Sequence, residues 1–97
     1  MLPVEYTPIA QKYFKKLKDK RLKESFKAAI VKIRIDPYVG NAKTGDLKGI
    51  YSLDIRHNKV NYELAYRITQ LPNGQIVIVI MAGTRENFYN ELKRYME

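Results

Sequence analysis

The sequence contains no cysteine and no tryptophan, and it has a single histidine among its 97 residues. The lack of cysteine excludes disulfides and thiolate metal sites, and it is typical of proteins of a reducing cytoplasm. A serine triad would have to use His57, which lies in a predicted turn, and a metal site would have to be built from carboxylates alone. We therefore predict no metal site, and we interpret His57 as an exposed turn residue.

Long apolar runs are also missing. The longest, Ile76–Ala82, is far too short to cross a bilayer, which requires roughly 20 residues. The first residues, Met-Leu-Pro-Val-Glu-Tyr, have neither the basic nor the apolar segment of a signal peptide. The sequence therefore predicts a soluble cytoplasmic protein without a membrane partner, folded as a single domain over residues 1–97.

Acidic residues are few relative to basic ones. The chain has 18 Lys and Arg against 10 Asp and Glu, a formal charge of +8 and a pI near 9.7. A charge surplus of this size in a small protein attracts polyanions, which are either nucleic acid or an acidic protein partner. The charge by itself does not choose between these two.

The first half of the chain predicts an edge strand and two helices. Val4–Tyr6 is a short β-prone segment, and Thr7-Pro8 is an N-cap followed by proline at the first helical position. A second amphipathic helix follows a break at Asp19-Lys20 and ends at Asp36-Pro37. The two apolar stripes are Ile9, Ala10, Tyr13, Phe14 and Leu17 on the first helix, and Leu22, Phe26, Ala29, Ile30 and Ile33 on the second.

Residues 37–49 contain three glycines and no hydrophobic period, so we predict a loop. The segment Gly40–Gly45 resembles a phosphate-binding loop only superficially, because Asp46 and Leu47 follow it where that motif requires Lys and Ser or Thr. Nucleotide triphosphate binding is therefore not predicted for this loop.

From Ile50 the pattern changes to the alternation of half-buried strands. Its apolar positions are Tyr51, Leu53 and Ile55, and then Tyr62, Leu64, Tyr66 and Ile68. A turn within His57–Val60 that keeps both sets on one face places Leu53 opposite Leu64 and Asp54 opposite Glu63. Like charges directly opposite are destabilising, so either the register is different or neighbouring cations compensate, for which Arg56 and Arg67 are the obvious candidates.

The run Ile76–Ala82 predicts the central strand, covered on both faces by further structure, such as the last helix or a bound partner chain. At its end Gly83 permits a bend and Thr84 can cap a helix carrying Phe88, Leu92 and Tyr95. Arg85 and Tyr89 would then stand one helical turn apart beside the strand end, where a cation and a phenol make a plausible site for a phosphate ester. The alternative is that Arg85 is solvated and Tyr89 is a packing residue.

These elements predict an α+β fold. We expect a small, twisted antiparallel sheet of about four strands, with the N-terminal helix pair packed on one face and a short C-terminal helix. Four tyrosines fall on core-facing stripes, namely Tyr13, Tyr51, Tyr62 and Tyr66, so only Tyr38, Tyr89 and Tyr95 are free to stack on RNA bases.

Three strings, in this order and spacing, carry a resemblance to a known family. They are Asp-Leu-Lys-Gly-Ile-Tyr at 46–51, Tyr-Glu-Leu-Ala-Tyr at 62–66, and Ile-Val-Ile-Met-Ala-Gly-Thr-Arg-Glu-Asn-Phe-Tyr at 78–89. The chain resembles the RelE/ParE toxins of type II toxin–antitoxin modules over almost its whole length. The resemblance implies a RelE-like fold and a small cognate antitoxin whose acidic or amphipathic segment wraps the toxin.

The resemblance also implies one of two activities. Many members are ribosome-dependent ribonucleases that cut messenger RNA without metal or cofactor, whereas the ParE branch inhibits DNA gyrase. By position, Arg85 and Tyr89 match the pair that flanks the scissile phosphate in the ribonucleases. The other candidates are Glu63 or Asp46 as general base, and four cations as RNA or phosphate contacts: Lys43, Lys48, Arg56 and Arg67.

The sequence departs from the ribonuclease pattern on two strands. Ser52 and Asp54 stand where the ribonucleases often have lysines, and Glu63 stands where many have arginine. A carboxylate there would repel a phosphate unless it serves as a base or is neutralised. The departures favour the alternative of a non-enzymatic inhibitor that binds gyrase or another protein. A third possibility is a housekeeping RNA-binding protein, which would not arrest growth.

Overall fold

A computed structural model describes all 97 residues and shows an α+β fold with three α-helices and a five-stranded sheet. The elements, in chain order, are β1 (Val4–Tyr6), α1 (Pro8–Lys16), α2 (Lys20–Ile35), β2 (Asn41–Ala42), a 3₁₀ helix (Gly45–Leu47), β3 (Tyr51–His57), β4 (Val60–Leu71), β5 (Gly74–Thr84) and α3 (Phe88–Met96). None of the helices is both long enough and apolar enough to span a bilayer.

The sheet has the strand order β1-β5-β4-β3-β2 and is mixed, because β1 runs parallel to β5 while the other pairs are antiparallel. The prediction of about four antiparallel strands was wrong in two details. The fifth strand, β2, lies inside the predicted loop and is too short to show a period. The predicted edge strand β1 pairs with β5 in parallel, not antiparallel. The middle strand is therefore β4, and Ile76–Ala82 belongs to its neighbour β5.

Helix α1 begins at its predicted cap, and α2 begins at the predicted break, where Asp19 is the cap. The Thr7 hydroxyl accepts a hydrogen bond from the Ala10 amide at 3.2 Å, and Pro8 is the first residue of α1. Asp19 Oδ1 accepts from the amides of Arg21 and Leu22 at 3.0 and 3.2 Å, which starts α2. Both helices thus begin where side-chain oxygens satisfy amides that have no partner within the helix.

The β3–β4 hairpin has the predicted register. Leu53 pairs with Leu64 and Asp54 with Glu63. The two turn residues, Asn58 and Lys59, have φ values of 48° and 65°. Two consecutive positive φ angles give the backbone twist that lets a two-residue turn join right-twisted strands.

One core lies between the helix pair and one face of the sheet. All the alternating apolar residues predicted for β3 and β4 pack there, and the tyrosines predicted for the core do so too. The buried members of this cluster are Ala10, Leu22, Phe26, Ala29, Ile30, Ile33, Ile55, Leu64, Tyr66, Val77, Val79 and Ala82. The helix pair therefore packs on one face, as the sequence predicts.

A second, smaller core lies on the opposite face under α3. Its buried members are Leu47, Ile50, Ala65, Ile80, Met81, Phe88 and Leu92. The last helix is thus the cover predicted for the two-sided apolar strand. Of the residues predicted for its apolar stripe, Phe88 and Leu92 are buried, whereas Tyr95 is exposed.

An irregularity in β5 determines which face its last residues occupy. Ala65 pairs with Met81 and Tyr66 pairs with Val79, so Ile80 has no partner on β4. Val79 packs under the helix pair, whereas Ile80 and Met81 both pack under α3. This β-bulge restarts the alternation one residue later, and it places Gly83, the partner of Glu63, on the α3 face.

Candidate functional site

The site is centred on Glu63, a fully buried carboxylate in the middle strand β4. Its Oε1 accepts a hydrogen bond from the Tyr89 phenol, and its Oε2 accepts one from Arg85 Nη2 at 3.3 Å. A buried charge is tolerated when it is paired and hydrogen-bonded, and these two donors meet that requirement. Arg85 and Tyr89, the pair that the sequence singled out, therefore both contact Glu63, one of the two candidates for the base.

Arg85 and Tyr89 reach Glu63 by a different local route from the predicted one. Strand pairing continues to the end of β5, where Thr84 pairs with Tyr62 and the Arg85 amide donates to the Asn61 carbonyl at 2.9 Å. Thr84 is therefore a strand residue, and the prediction that it caps the last helix was wrong. Helix α3 begins at Phe88 after Asn87, which has a φ of 58°, so Tyr89 lies in its first turn and Arg85 in the preceding bend.

Arg85 also neutralises the second carboxylate of the site. Its Nη2 lies 2.8 Å from Asp54 Oδ2, and the two side chains are 52% and 53% exposed. The predicted like-charge pair Asp54–Glu63 is thus real, but its compensating cation is Arg85 rather than Arg56 or Arg67. Arg56 instead donates to Asn61 Oδ1 at 3.0 Å. Only the fold brings Arg85, which is 22 positions along the chain from Glu63, across to the hairpin.

Ser52 completes the hydrogen-bonding environment of the Tyr89 phenol. Its Oγ is 3.1 Å from Tyr89 Oη, and the residue is 1% exposed. Since the phenol donates its proton to Glu63, it accepts from Ser52. The Lys43 ammonium lies 4.7 Å from the centre of the Tyr89 ring, in a cation–π contact.

The pKa values of the two carboxyls move in opposite directions. Burial raises the pKa of Glu63 above its usual value, and the adjacent Asp54 adds to the rise. Hydrogen bonding with Glu63 lowers the pKa of Asp54, and the charge of Arg85 lowers it further. The two acids raise the pKa of Arg85, Asp54 contributing most. Asp54 is therefore the anion of the pair, while Glu63 is the better proton acceptor.

The remaining predicted site residues lie outside this cluster. Asp46 is exposed in the 3₁₀ helix, and Lys48 is exposed directly after it. Neither side chain makes a hydrogen bond or ion pair, and the exposed Arg67 makes none either. Their roles remain predictions. We did not predict Ser52 or Asp54 as site residues, although the predicted pairing of Asp54 with Glu63 indicated that both lie on the same face as Glu63.

His57 is not the exposed turn residue that we expected. It is the last residue of β3, its side chain is 13% exposed, and its Nε2 lies 3.0 Å from Asp19 Oδ2. The reason is that the helix cap uses only the Oδ1 atom of Asp19, which leaves Oδ2 free to bind the ring. The contact joins the hairpin to the start of α2. No group of three or more His, Asp or Glu side chains is arranged to hold a metal.

Three solved structures with a similar fold are toxins or contain one. The isolated RelE toxin of E. coli is 22% identical over 100% of both chains, with a TM-score of 0.68. The YoeB/ParE toxin from Agrobacterium tumefaciens is 19% identical over 87% of this chain and 99% of that one, with a TM-score of 0.71. The intact E. coli RelBE toxin–antitoxin complex contains a chain that is 22% identical over 86% of this chain and 95% of that one, with a TM-score of 0.66. The fold is therefore RelE-like.

The sequence itself matches the model of one protein family over residues 4–93. That family is the ParE-like toxin of type II bacterial toxin–antitoxin systems, and the chain belongs to it. A comparison with curated proteins finds no match. The family assignment thus rests on nearly the whole chain, and the RelE/ParE resemblance seen in its motifs is confirmed.

Proposed function

We propose that this toxin is a messenger RNA endonuclease that acts on the ribosome and thereby inhibits translation. The observation that carries the proposal is the direct contact of the Tyr89 phenol and the Arg85 guanidinium with the buried Glu63 carboxylate. A proton acceptor, a hydroxyl and a half-exposed cation held together are the groups that cleavage by the ribose 2′-hydroxyl requires.

In the proposed reaction the ribose 2′-oxygen attacks the adjacent phosphorus and the bond to the 5′-oxygen breaks. Glu63 accepts the 2′-proton, and the Tyr89 phenol orients the hydroxyl or relays its proton to Glu63. Arg85 stabilises the negative charge that develops on the phosphate oxygens. An acid or a water molecule protonates the departing 5′-oxygen. The products are a 2′,3′-cyclic phosphate and a 5′-hydroxyl, and the balance requires neither metal nor cofactor.

Four further cations are proposed to hold the RNA backbone. Lys43 is already part of the site through its contact with the Tyr89 ring. Lys48, Arg56 and Arg67 are exposed, and the formal charge of +8 supports binding to a polyanion. Asp46 is a weaker candidate for the general base than Glu63, because it is exposed and makes no contact with Arg85 or Tyr89.

An antitoxin is the proposed protein partner. The solved E. coli RelBE structure is a toxin–antitoxin complex, and this chain has the same fold as its toxin. A basic surface would favour an antitoxin segment that is acidic or amphipathic. We propose that residues 1–97 form a single toxin domain that acts in the cytoplasm, where ribosomes and messages are found.

The second candidate is a non-enzymatic inhibitor of DNA gyrase or another protein. Asp54 and Glu63 both contact Arg85, so the site cation is neutralised within the protein. A site of this kind would bind a phosphate less readily than one with free cations. Inhibition through a protein interface would not require that binding.

Induced expression followed by mapping of message ends separates the two candidates. The first predicts falling translation with cleaved messages, and the second predicts intact messages with a DNA-damage response. Arg85→Ala should slow cleavage roughly a hundredfold, since an oxyanion-type contact is worth about that much. Arg94→Ala removes a cation from an exposed position of α3 and is the matched control. Unchanged cleavage by the Arg85 variant would remove Arg85 from the mechanism.

A further inference from the structure

Asp54 makes the shortest contact of the Arg85 guanidinium. The distance between Asp54 Oδ2 and Arg85 Nη2 is 2.8 Å, against 3.3 Å from the same nitrogen to Glu63 Oε2. Asp54 and Arg85 are about half exposed, whereas the Glu63 side chain is 1% exposed. Of the two carboxylates, only Asp54 therefore lies on the side of the guanidinium that faces solvent.

The Asp54 carboxylate lies beside Arg85 in the place that an anion bound to that guanidinium would take. Lys43 as well as Arg85 acts electrostatically on its carboxylate and helps to lower its pKa, although hydrogen bonding with Glu63 is the largest cause. An RNA phosphate approaching Arg85 from solvent would meet the same two cations. A phosphodiester oxygen and the Asp54 carboxylate thus compete for one guanidinium, and they repel each other if both are present.

Displacement of Asp54 is physically feasible. Exposed ion pairs contribute little to stability, because water and salt screen them and both side chains lose freedom in forming them. The Asp54 side chain is about half exposed, so it can turn towards water, and Arg85 would still pair with the buried Glu63. Glu63 has no such freedom, because its carboxylate is enclosed and holds the Tyr89 phenol.

We propose that Asp54 sets the affinity of this toxin for RNA by acting as an internal anion that backbone phosphate must displace from Arg85. The inference rests on the proposed RNA-binding function and adds an affinity-determining residue to it. Asp54 is not a catalytic group in this scheme, since its role ends when the phosphate takes its place. A site restrained in this way would favour substrates that offer several phosphate contacts at once over isolated single strands.

The test compares Asp54→Asn with a variant that loses the same charge elsewhere. Glu86→Gln is the matched control, because Glu86 follows Arg85 in the chain, is exposed, and makes no hydrogen bond or ion pair. The probe is a fluorescein-labelled, fully 2′-O-methylated single-stranded RNA, which cannot be cleaved through its 2′-oxygen. Binding is measured by fluorescence anisotropy over a series of salt concentrations.

Asp54→Asn should bind the probe roughly tenfold more tightly than the wild type at low salt, because it removes both a competitor and a repelling charge. The slope of log K against log salt should steepen by about 0.7, the value for one additional phosphate contact on a single strand. Glu86→Gln should leave the slope unchanged. Asp54→Ser, which is also neutral but shorter, should reproduce the gain if the asparagine variant folds poorly.

Equal affinities and equal slopes for the Asp54 and Glu86 variants would overturn the inference. Weaker binding by both Asp54 variants would also overturn it, since it would show that Asp54 holds Arg85 in a binding geometry. Cleavage of unmodified messenger RNA is assayed separately, in translation reactions that contain ribosomes. Tighter binding of the probe without cleavage of messages on the ribosome would support the role of Asp54 and refute the nuclease, so the two failures are distinguishable.

Discussion

Replacement of Glu63 by glutamine tests the buried carboxylate of the site through both stability and activity. The amide has the same shape as the carboxylate and is able to satisfy the same neighbours. Its oxygen accepts from Arg85, and its nitrogen donates to the Tyr89 phenol, which then donates to Ser52 instead of accepting from it. The substitution therefore keeps a partner for each oxygen and nitrogen of the cluster, but it leaves one amide hydrogen and the Ser52 hydroxyl hydrogen to find new acceptors. The dependence of its effects on pH reports on the lost charge.

The pH dependence follows from the direction of the pKa shift. Glu63 has a usual pKa of 4.5, and burial raises that value in the folded protein. Above pH 4.5 the unfolded chain loses its proton first, so the folded state binds more protons and the free energy of unfolding falls as pH rises. The fall is at most about 1.4 kcal/mol per pH unit, and it stops once the pH passes the raised pKa. The glutamine variant should lack this fall.

Urea denaturation of the wild type and Glu63→Gln at several pH values between about 4 and 8 measures the difference. Both proteins should lose stability at lower pH, where Asp19 is protonated, because hydrogen bonding to the Leu22 amide lowers the pKa of that carboxyl. Cleavage by the variant should drop about 10²–10⁴-fold, the range for loss of a general base. If the free energy of unfolding changed with pH in the same way for both proteins, the raised pKa of Glu63 would be refuted. Retained cleavage by the variant would refute the catalytic role of Glu63.

Three stability predictions concern the frame that holds the site. Gly40→Ala should lower the free energy of unfolding by about 1–3 kcal/mol, measured by urea denaturation, because a Cβ at this position would lie 2.6 Å from the Tyr66 hydroxyl and 2.8 Å from a backbone oxygen. An unchanged urea midpoint would contradict this close approach. Lys59→Gly should stabilise the hairpin by up to about 1 kcal/mol, because Lys59 has a φ of 65°, and a loss of stability would argue against that turn. Leu92→Ala should cost about 2–5 kcal/mol, since Leu92 is fully buried under α3, and a smaller change would show that α3 contributes little to the core.

Most of the elements could be predicted because their signals are local. Thr7-Pro8 and Asp19 carry their caps in their own side chains, and the alternation in β3 and β4 gave the hairpin register down to the pair Asp54–Glu63. The start of α3 was predicted less well. Threonine is a residue type that often caps helices, but Thr84 pairs with Tyr62 on β4 and belongs to the strand. The local sequence does not show whether strand pairing or helix capping is favoured at this position.

By itself, the sequence determined the RelE/ParE assignment and the basic charge, since motif order and composition are properties of the chain. It also singled out Arg85 and Tyr89 as candidates, with Glu63 and Asp46 as alternatives for the base. The tertiary structure decided how these residues are connected. It showed that Arg85, not Arg56 or Arg67, compensates the paired acids, and that Ser52 and Lys43 hold the Tyr89 ring. Such contacts join residues distant in sequence, so they depend on the β-bulge and the strand order, which local patterns do not encode.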